Sequence, residues 1–184
     1  MASIGAFISL SLDGCYADAR GDMSWAHTQD AEQAEFAASN ASGGGQLIFG
    51  RITYDMMKPF WTSAQAAEMM PDVAAGMNAN PKTVFSRTLK SSDWRNTKVA
   101  SEDLVSELKA IRASDEPATI LGSGTIVAQA ATAGLLDELQ VMLVPVTLGG
   151  GKRLFDGIPR AISWRREDVR QFSNGNVFIR YRPA

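Results

Sequence analysis

Short runs of apolar and β-branched residues recur along the chain, separated by segments in which apolar side chains return every three or four residues. The first run, residues 4–12, alternates in part between apolar and polar positions and is ended by Asp13-Gly14, so it predicts a strand. A loop is expected from there to about Trp25. The same pattern predicts further strands at residues 46–49, 82–86, 97–100, 119–121, 139–144, 168–172 and 177–181.

The segments between these strands have the spacing of helices with one apolar face. Helices are predicted after Asp30, from Gly50 to Met57, after Ser101 and after Gly124, whereas broken helix or loop is predicted at residues 63–80. Pro71 and Gly76 are the interruptions in that last segment. Pro59 is expected to end the second helix, because proline lacks the amide proton that a helix interior uses.

Strands that alternate with helices predict an α/β domain with a mainly parallel sheet and helices on both faces. The last two strands flank Asn174-Gly175, a dipeptide that suits the two positive-φ positions of a type I′ turn. The sheet is therefore expected to end in an antiparallel hairpin. No linker, charge run or long repeat divides the sequence, so a single domain over residues 1–184 is predicted.

Composition narrows the classes of function. A net charge of -2 and a pI near 5.4 give no general attraction to nucleic acid. Cys15 is the only cysteine and His27 the only histidine, which excludes a disulfide framework and a Cys/His zinc site within one chain. No stretch approaches the roughly 18 uninterrupted apolar residues of a membrane helix. We therefore expect no membrane span and a cytoplasmic location, with chemistry carried by other groups.

Two strand-to-helix junctions contain glycine and predict a phosphate-binding edge. One strand runs into Gly122-Ser123-Gly124-Thr125 and another into Gly50-Arg51. Helix N-termini offer unpaired N–H groups and partial positive charge, and glycine lets a diphosphate approach the backbone. The first junction departs from the Rossmann fingerprint, because Val127 occupies the third glycine position and Val144 stands where an acid is expected. The two junctions face one diphosphate if their strands are neighbours; simple chain reversals are the alternative.

A polar trio, Ser86-Arg87-Thr88, follows a strand that lies between these junctions in the sequence. It places two hydroxyls and a guanidinium at a strand's carboxyl end, where open α/β sheets bind ligands. Arginine supplies a permanent charge and a planar donor fork for phosphate, so the trio predicts a clamp for the 2′-phosphate of NADPH in preference to NADH. A polar turn with a solvated arginine is the alternative.

Five short motifs follow one another along the chain. They are Ser11-Leu12-Asp13-Gly14, Gly50-Arg51-Ile52-Thr53-Tyr54, Val84-Phe85-Ser86-Arg87, Leu121-Gly122-Ser123-Gly124-Thr125 and Leu148-Gly149-Gly150-Gly151-Lys152-Arg153-Leu154-Phe155. Their order and spacing resemble the dihydrofolate-reductase-like superfamily and, within it, the RibD C-terminal reductase family. The resemblance covers nearly the whole chain, and it implies a three-layer αβα fold with a mixed, mainly parallel sheet.

The resemblance also implies how the site is arranged. NADPH would be bound in extended form, with its diphosphate at Gly50, Arg51, Ile52 and Thr53 and at Gly122, Ser123, Gly124, Thr125 and Ile126, and its adenosine phosphate near Ser86, Arg87 and Thr88. Hydride delivery to a pyrimidine- or pteridine-like heterocycle, commonly from a homodimer, is implied in the same way. One Cys and one His could not build the metal site of a zinc deaminase domain, so we expect any deaminase to be a separate polypeptide.

Hydride transfer to a C=N bond leaves negative charge on nitrogen, which a carboxylic acid or a bound water must neutralise with a proton. Asp13 and Asp30 are the candidate catalytic residues. The resemblance places Asp13 beside the nicotinamide and the substrate; a turn residue is the alternative. Asp30 lies five residues after Trp25, a spacing that resembles the acid and the tryptophan of dihydrofolate reductases, with a helix cap as the alternative.

Three further features concern the substrate. Trp25 is a candidate substrate contact through the same resemblance, and residues 18–25 are a candidate lid over the nicotinamide, with an ordinary surface loop as the alternative. Lys152 and Arg153 follow three glycines and suit an anionic substrate group such as a sugar phosphate, although such pairs are also found simply solvated.

Together these observations predict an NADPH-dependent reductase of a small heterocycle, most like the 5-amino-6-(5-phosphoribosylamino)uracil reductase of riboflavin biosynthesis. Dihydrofolate reduction is a second enzymatic hypothesis, and a nucleotide-binding module without catalysis is a third. The expected partners are a small heterocyclic substrate and a second copy of the chain, with no nucleic acid and no membrane.

Overall fold

The computed structural model describes residues 1–27, 30–41, 44–100 and 103–184. The strands in this part of the chain are β1 (Ile4–Leu10), β2 (Cys15–Ala17), β3 (Gln46–Gly50), β4 (Lys82–Phe85), β5 (Thr97–Ala100), β6 (Ala118–Leu121), β7 (Glu138–Leu143), β8 (Lys152–Arg153), β9 (Trp164–Gln171) and β10 (Val177–Pro183). The α-helices are α1 (Ala31–Ala41), α2 (Arg51–Trp61), α3 (Ala64–Met69), α4 (Pro71–Ala79), α5 (Leu104–Ala113) and α6 (Gly124–Thr132), with a 3₁₀ turn at Ser24–Ala26.

Eight of these strands form one sheet in the order β5-β4-β3-β6-β1-β7-β10-β9. Every pairing from β5 to β7 is parallel, whereas β10 is antiparallel to both of its neighbours. The prediction of a mainly parallel sheet ending in an antiparallel hairpin is therefore confirmed. Strands β2 and β8 form a separate antiparallel pair that the apolar pattern did not predict, because both are very short.

Alternate residues of the central strands bury their side chains on opposite faces of the sheet, which gives three layers. On one face, Ile120 and Val141 belong to a core completed by Leu108 of α5 and Val127 of α6. The other face packs against α2 and α4 at one end and against Phe36 of α1 at the other. Helices thus cover both faces, as expected for this fold class.

The hairpin turn between β9 and β10 differs from the predicted type I′ turn. Of the residues in the turn, only Gly175 has a positive φ, of 88°. The amide of Gly175 donates to the carbonyl of Phe172, and the Phe172 amide donates to the carbonyl of Asn176. The Asn174 carboxamide accepts from the Asn176 amide at 2.9 Å, which holds Asn174 in an ordinary conformation. The connection is a three-residue turn with glycine at its left-handed position.

The end of α2 and the cap of α5 differ from the predicted ones. Helix α2 continues two residues past Pro59, so the expected stop was wrong: the proline lies in the last turn, where it costs only one hydrogen bond. Ser101, the expected cap of α5, lies outside the described residues, and Asp103 accepts from the Ser106 amide at 3.1 Å as the cap. Residues 63–80 do form broken helix, with Pro71 as the first residue of α4.

Candidate functional site

The carboxyl ends of the parallel strands meet at one edge of the sheet, and the residues predicted for the site follow those ends. Strand β3 lies between β4 and β6 and pairs with both. The junction at Gly50 therefore stands beside the junction at Gly122, with Ser86 on its other side. The condition for two junctions to face one ligand, that their strands are neighbours, is met.

Ser123 joins the two junctions. Its backbone is left-handed, with φ 54°, at the N-cap of α6. Its hydroxyl accepts from the Gly50 amide at 2.7 Å and lies 3.0 Å from the hydroxyl oxygen of Thr53. The residue before it, Gly122, has a φ of +56°, and a Cβ there would approach the Thr53 side chain to 3.3 Å. Both features favour glycine at this position. The junctions are thus fixed to one another before any ligand binds.

The helices that begin at these junctions differ in their N-caps from three of the other four. Helix α4 has no side-chain cap either, but it begins at Pro71, which has no amide proton. Asp30, Ser63 and Asp103 each accept a bond from a first-turn amide of α1, α3 and α5. No side-chain cap is present on α2, which starts after Gly50, or on α6, which starts after Ser123. In α6 the Ile126 amide donates to the Ser123 carbonyl at 2.8 Å, which leaves the amides of Gly124 and Thr125 for an external acceptor. The first-turn amides of α2 likewise have no side-chain cap, and a phosphate is the acceptor that such N-termini favour.

A cavity of about 260 Å³ lies over these two N-termini. We call it the edge cavity; it is lined by Tyr16, Ala17, Gly21, Met23, Gly50, Arg51, Ile52, Thr53, Ser123, Gly124, Thr125, Ile126 and Lys152. Eight of the nine residues predicted for the cofactor's diphosphate are among them, and the ninth, Gly122, does not line the cavity. The structure thus brings the two predicted junctions to one cavity.

Two of the three residues of the predicted phosphate clamp, Ser86 and Thr88, are already hydrogen-bonded within the structure. Arg51 donates from Nη1 to the hydroxyl of Thr88 at 2.9 Å and from Nε to Asp55 at 2.6 Å. The Ser86 hydroxyl accepts from the amides of Thr88 and Leu89, so it holds the turn. Arg87 is exposed and makes no hydrogen bond or ion pair with any residue that the structure describes. Of the trio, Arg87 is the group available to an added phosphate.

Asp13 is tied to the loop before β8. Its carboxylate accepts from the Ser11 hydroxyl at 2.7 Å and from the amides of Leu148 and Gly149 at 3.1 and 3.0 Å. These bonds, with the Ser11 hydroxyl as the largest contributor, lower the pKa of Asp13 to about 2. The group is therefore ionised at neutral pH. That charge state suits an acceptor that orients substrate or water and does not suit a proton donor.

Asp30 occupies the N-cap of α1, where it accepts from the Gln33 amide at 2.8 Å and from the Ser173 hydroxyl at 3.1 Å. The capping alternative thus describes its contacts well. Trp25 lies in the 3₁₀ turn, donates from Nε1 to the carbonyl of Asp22, and packs against the core around Phe178. Neither residue lines the edge cavity, so the structure does not bring them to the predicted cofactor residues.

Lys152 and Arg153 form β8 and are exposed. Lys152 lines the edge cavity, and both residues line a larger groove of about 670 Å³ between α6 and residues 151–159. The predicted lid also meets the edge cavity, through Gly21 and Met23. The Asp18 carboxylate accepts from the amides of Arg20 and Asp22, which fixes the first turn of that segment.

Residues 2–178 match the profile of the RibD C-terminal domain. The chain is a member of the RibD C-terminal domain family. The match spans nearly the whole chain, and it confirms the resemblance that the five motifs carried.

Relatives of this RibD C-terminal protein include YyaP of Bacillus subtilis (strain 168), an uncharacterized protein that is 22% identical over 175 residues, 95% of this chain and 91% of YyaP. A putative riboflavin biosynthesis protein from Shewanella sp. PV-4 has a TM-score of 0.75 and 23% identity, with 100% of this chain and 99% of that chain covered. Dihydrofolate reductase from Enterococcus faecalis, complexed with NADP(H), has a TM-score of 0.63 and 12% identity, with 98% and 96% covered. These likenesses confirm the dihydrofolate-reductase-like fold.

A bifunctional protein from Thermotoga maritima, a diaminohydroxyphosphoribosylaminopyrimidine deaminase/5-amino-6-(5-phosphoribosylamino)uracil reductase, has a TM-score of 0.70 and 14% identity. All of this chain aligns with 57% of that protein. In the described part of the RibD C-terminal protein, no group of three or more His, Cys, Asp or Glu side chains is placed to hold a metal ion. None of the helices described here has the length and apolar character needed to cross a bilayer.

Tyr16 is the lining residue that the motifs missed. Its ring packs so closely on Gly124 that a Cβ there would come within 2.3 Å of it, and its hydroxyl lies 3.5 Å from that of Thr125. It lines both the edge cavity and the groove beside Lys152. Its place just after the Asp13-Gly14 turn is the one indication of Tyr16 in the sequence. The strand that contains it has three residues, which is too short to show alternation.

Proposed function

We propose that this RibD C-terminal protein is an NADPH-dependent reductase, a single domain over residues 1–184, that delivers hydride to a pyrimidine- or pteridine-like heterocycle. The reaction is most like that of 5-amino-6-(5-phosphoribosylamino)uracil reductase. The observation that carries the proposal is the pair of helix N-termini without side-chain caps, at Gly50 and Ser123, that face one cavity. A dinucleotide diphosphate fits this donor set, since it needs amide donors and close backbone approach.

Bound NADPH would supply the hydride. The first-turn amides of α2 and α6 would hold its diphosphate, and the uncommitted guanidinium of Arg87 would pair with the 2′-phosphate. Tyr16 and Ile126 would contact the bound diphosphate region, because both line the edge cavity. Arg51 would support this edge through its bond to Thr88.

The proton that completes reduction needs a source other than the Asp13 carboxylate. That group is held ionised by three hydrogen bonds, so its role is to accept a bond from substrate or to orient a water. Asp30 remains a candidate acid through its spacing from Trp25, which resembles that of dihydrofolate reductases. Its contact with Ser173 places it by the turn that follows β9.

Two further parts of the proposal concern binding partners and location. Lys152 and Arg153 would meet an anionic substrate group, and their exposure beside the edge cavity supports this assignment. A homodimer is proposed from the family resemblance, and the partly uncovered apolar residues Leu143 and Ile179 are available to such a contact. A cytoplasmic location is proposed as well, and the unpaired Cys15 agrees with it.

Turnover tests the proposal. NADPH oxidation is followed with 5-amino-6-(5-phosphoribosylamino)uracil and with dihydrofolate at a fixed concentration of the protein. The proposal expects oxidation with the aminouracil or with a related heterocycle. Turnover of dihydrofolate alone would favour the second enzymatic hypothesis. NADPH binding without turnover of any heterocycle would identify a nucleotide-binding module.

A further inference from the structure

A second cavity, of about 250 Å³, lies on the other side of β6 from the groove that contains Lys152. It is enclosed by α1, α2, α4 and the sheet, and we call it the cleft cavity. Its walls are largely apolar and aromatic, and they include Phe7, Leu47, Met57, Trp61, Met77 and Leu121. Met77 and Leu47 are buried, whereas Met57 and Trp61 are half-buried, so the cavity opens between α1 and α2.

Among the residues that the structure describes, none with a charged side chain lines the cleft cavity. The polar groups on its wall are the carboxamides of Asn40, Asn80 and Gln140 and the hydroxyl of Thr119. Ala37, Asn40 and Gly44 also line the cavity, and none of them carries a charge. Lys152 and Arg153 do not line it. Any ligand there meets neutral groups alone.

The charged groups nearest to the cleft cavity are already paired. The Lys82 ammonium donates to the carbonyls of Met77 and Asn80, at 2.9 and 2.7 Å, and lies 5.0 Å from the centre of the Trp94 ring. Glu138 accepts from Gln140 at 2.6 Å and pairs with Arg182. Neither charge is left over to compensate an ionised ligand.

The inner end of the cleft cavity adjoins the cofactor residues. Leu121 lines it, and the next residue, Gly122, begins the phosphate junction; the Gly122 amide donates to the Phe7 carbonyl at 2.9 Å. Met57 follows Thr53 by one turn of α2. The outer end lies at Asn80 and Thr119, toward the amino ends of the strands. The cleft cavity and the edge cavity share no lining residue, and Leu121-Gly122 is where the two adjoin along the chain.

We propose that the substrate of this protein carries an uncharged, flat, largely apolar group on the side away from its reducible bond, and that this group occupies the cleft cavity. An ionised group would be removed from water there without a counter-charge, which is strongly unfavourable. Phenyl or fused heteroaromatic rings suit walls of Phe, Trp and Met, and the carboxamides suit a lactam edge. That the molecule in this cavity is the substrate rests on the proposed function. The preference of the cavity for uncharged rings does not depend on it.

Volume limits the size of this group. Sites for drug-sized ligands typically occupy about 300–1,000 Å³, so a cavity of about 250 Å³ holds one ring or a fused pair. A phosphate on the same molecule belongs beside Lys152 and Arg153. The substrate is therefore predicted to be more extended and more apolar on its uncharged side than a phosphoribosylaminouracil.

Calorimetric titration of the full chain with two matched probes tests this proposal. Quinazoline-2,4-dione is neutral, and quinazoline-2,4-dione-7-carboxylate has the same rings with an added charge. The neutral probe is expected to bind at least tenfold more tightly than the carboxylate. Equal affinity, tighter binding of the carboxylate, or binding of neither probe would overturn the proposal.

Two variants of α2 locate the binding. Met57→Lys places an ammonium on the cavity wall and is expected to weaken the neutral probe at least tenfold while improving the carboxylate. Met56→Lys is the matched control, because Met56 is exposed and does not line the cavity. Equal effects of both substitutions would overturn the location. Where Met57→Lys fails to fold, Asn80→Asp serves instead, and it must weaken the carboxylate probe more than the neutral one.

A parallel titration with NADPH separates this inference from the proposed function. Normal NADPH binding without binding of the neutral probe would overturn the cleft proposal and leave the reductase proposal standing. Binding of the neutral probe without NADPH binding would overturn the reductase proposal and leave the cavity's preference established.

Discussion

The edge cavity and the cleft cavity are neighbours that differ in how their walls are made. Backbone amides and fixed turns form much of the edge cavity, where Ser123 locks Gly50 beside Thr53. Side chains form the cleft cavity, with Met57 and Trp61 at its mouth. Basic side chains stand at the first, and none stands at the second.

This difference shows which part of the site the fold determines. Amides at helix N-termini are present whatever the side chains are, so a diphosphate site is retained as long as the glycine junctions are retained. Apolar walls depend on residue identity and can change without altering the sheet. In the proposed function, the cofactor is therefore the part most closely tied to the family, and the substrate is the part most specific to this chain.

Gly124→Ala gives the largest expected effect and acts on the edge cavity alone. The added Cβ would come within 2.3 Å of the Tyr16 ring, so that wall must move. We expect unfolding free energy to fall by about 1–3 kcal/mol, the usual cost of overpacking, and NADPH to bind at least tenfold more weakly. Calorimetry with NADPH and thermal melts measure both, and quinazoline-2,4-dione should bind as before.

Gly150→Ala is the control for that substitution, because a Cβ at Gly150 meets nothing within 4 Å. Equal NADPH affinity in the Gly124→Ala and wild-type proteins would show that Tyr16 does not shape the cofactor site.

Lys82→Met tests whether stability at the outer end of the cleft cavity is separable from cofactor binding. The substitution leaves the carbonyls of Met77, Asn78 and Asn80 without their donor. We expect a loss of about 1–3 kcal/mol of unfolding free energy, typical for buried acceptors left unsatisfied, with NADPH affinity unchanged. Chemical denaturation measures the first, and an equally weakened NADPH would contradict the separation.

The same variant has a pH signature. Burial lowers the pKa of Lys82 to about 8, from 10.5 in the unfolded chain. Between those values the unfolded chain binds more protons, so wild-type stability should rise with pH relative to Lys82→Met. A constant difference between the two proteins across that range would contradict this assignment.

Asp13→Asn tests the carboxylate that binds the loop before β8, which does not itself line the edge cavity. Loss of an orienting charge is expected to lower turnover about tenfold, toward the lower end of effects for groups that position reactants.

The lowered pKa of Asp13 also predicts how stability depends on pH: the ionised group stabilises the fold above pH 3.8, and this contribution is lost as pH falls toward about 2. The difference in unfolding free energy between wild type and Asp13→Asn should therefore become smaller as the pH falls toward about 2. Unchanged turnover would remove Asp13 from the mechanism.

Asp30 gives the smallest expected effect, and two substitutions divide its roles. Asparagine caps helices as well as aspartate, whereas alanine costs about 1 kcal/mol at an N-cap. We expect Asp30→Ala to lose that stability and Asp30→Asn to keep it. Thermal melts and turnover are measured together, with Asp103→Ala as the capping control. Turnover lost in Asp30→Asn at wild-type stability would make Asp30 the proton donor.

Much of the fold was predictable because long strands and helices have periodic patterns. The strand order could be anticipated only in part: the sequence places β3 and β6 far apart, and it is pairing in the sheet that joins Gly50 to Gly122. The α2 stop at Pro59 and the type I′ turn were wrong because each depends on local hydrogen bonds that compete with residue preference.

The site divides in the same way. Glycine junctions have a signal in the sequence, so the edge cavity could be predicted, and Arg87 could be singled out. The cleft cavity could not, because Phe7, Met57 and Leu121 have the same pattern as core residues. Lys82 begins a predicted strand, and nothing in the strand pattern indicates that its ammonium is buried beside Trp94. Long-range packing decides both cases.

The most direct test of the account is a titration of NADPH and NADH into wild-type protein and into Arg87→Ala, with Arg166→Ala as control. Arg166 is an exposed arginine of β9, at the far end of the sheet from β4. The account predicts that Arg87→Ala weakens NADPH by about 1.5–3 kcal/mol, the scale of a charge-assisted hydrogen bond, and changes NADH little. Equal weakening of both nucleotides, or binding of neither by the wild-type protein, would contradict it.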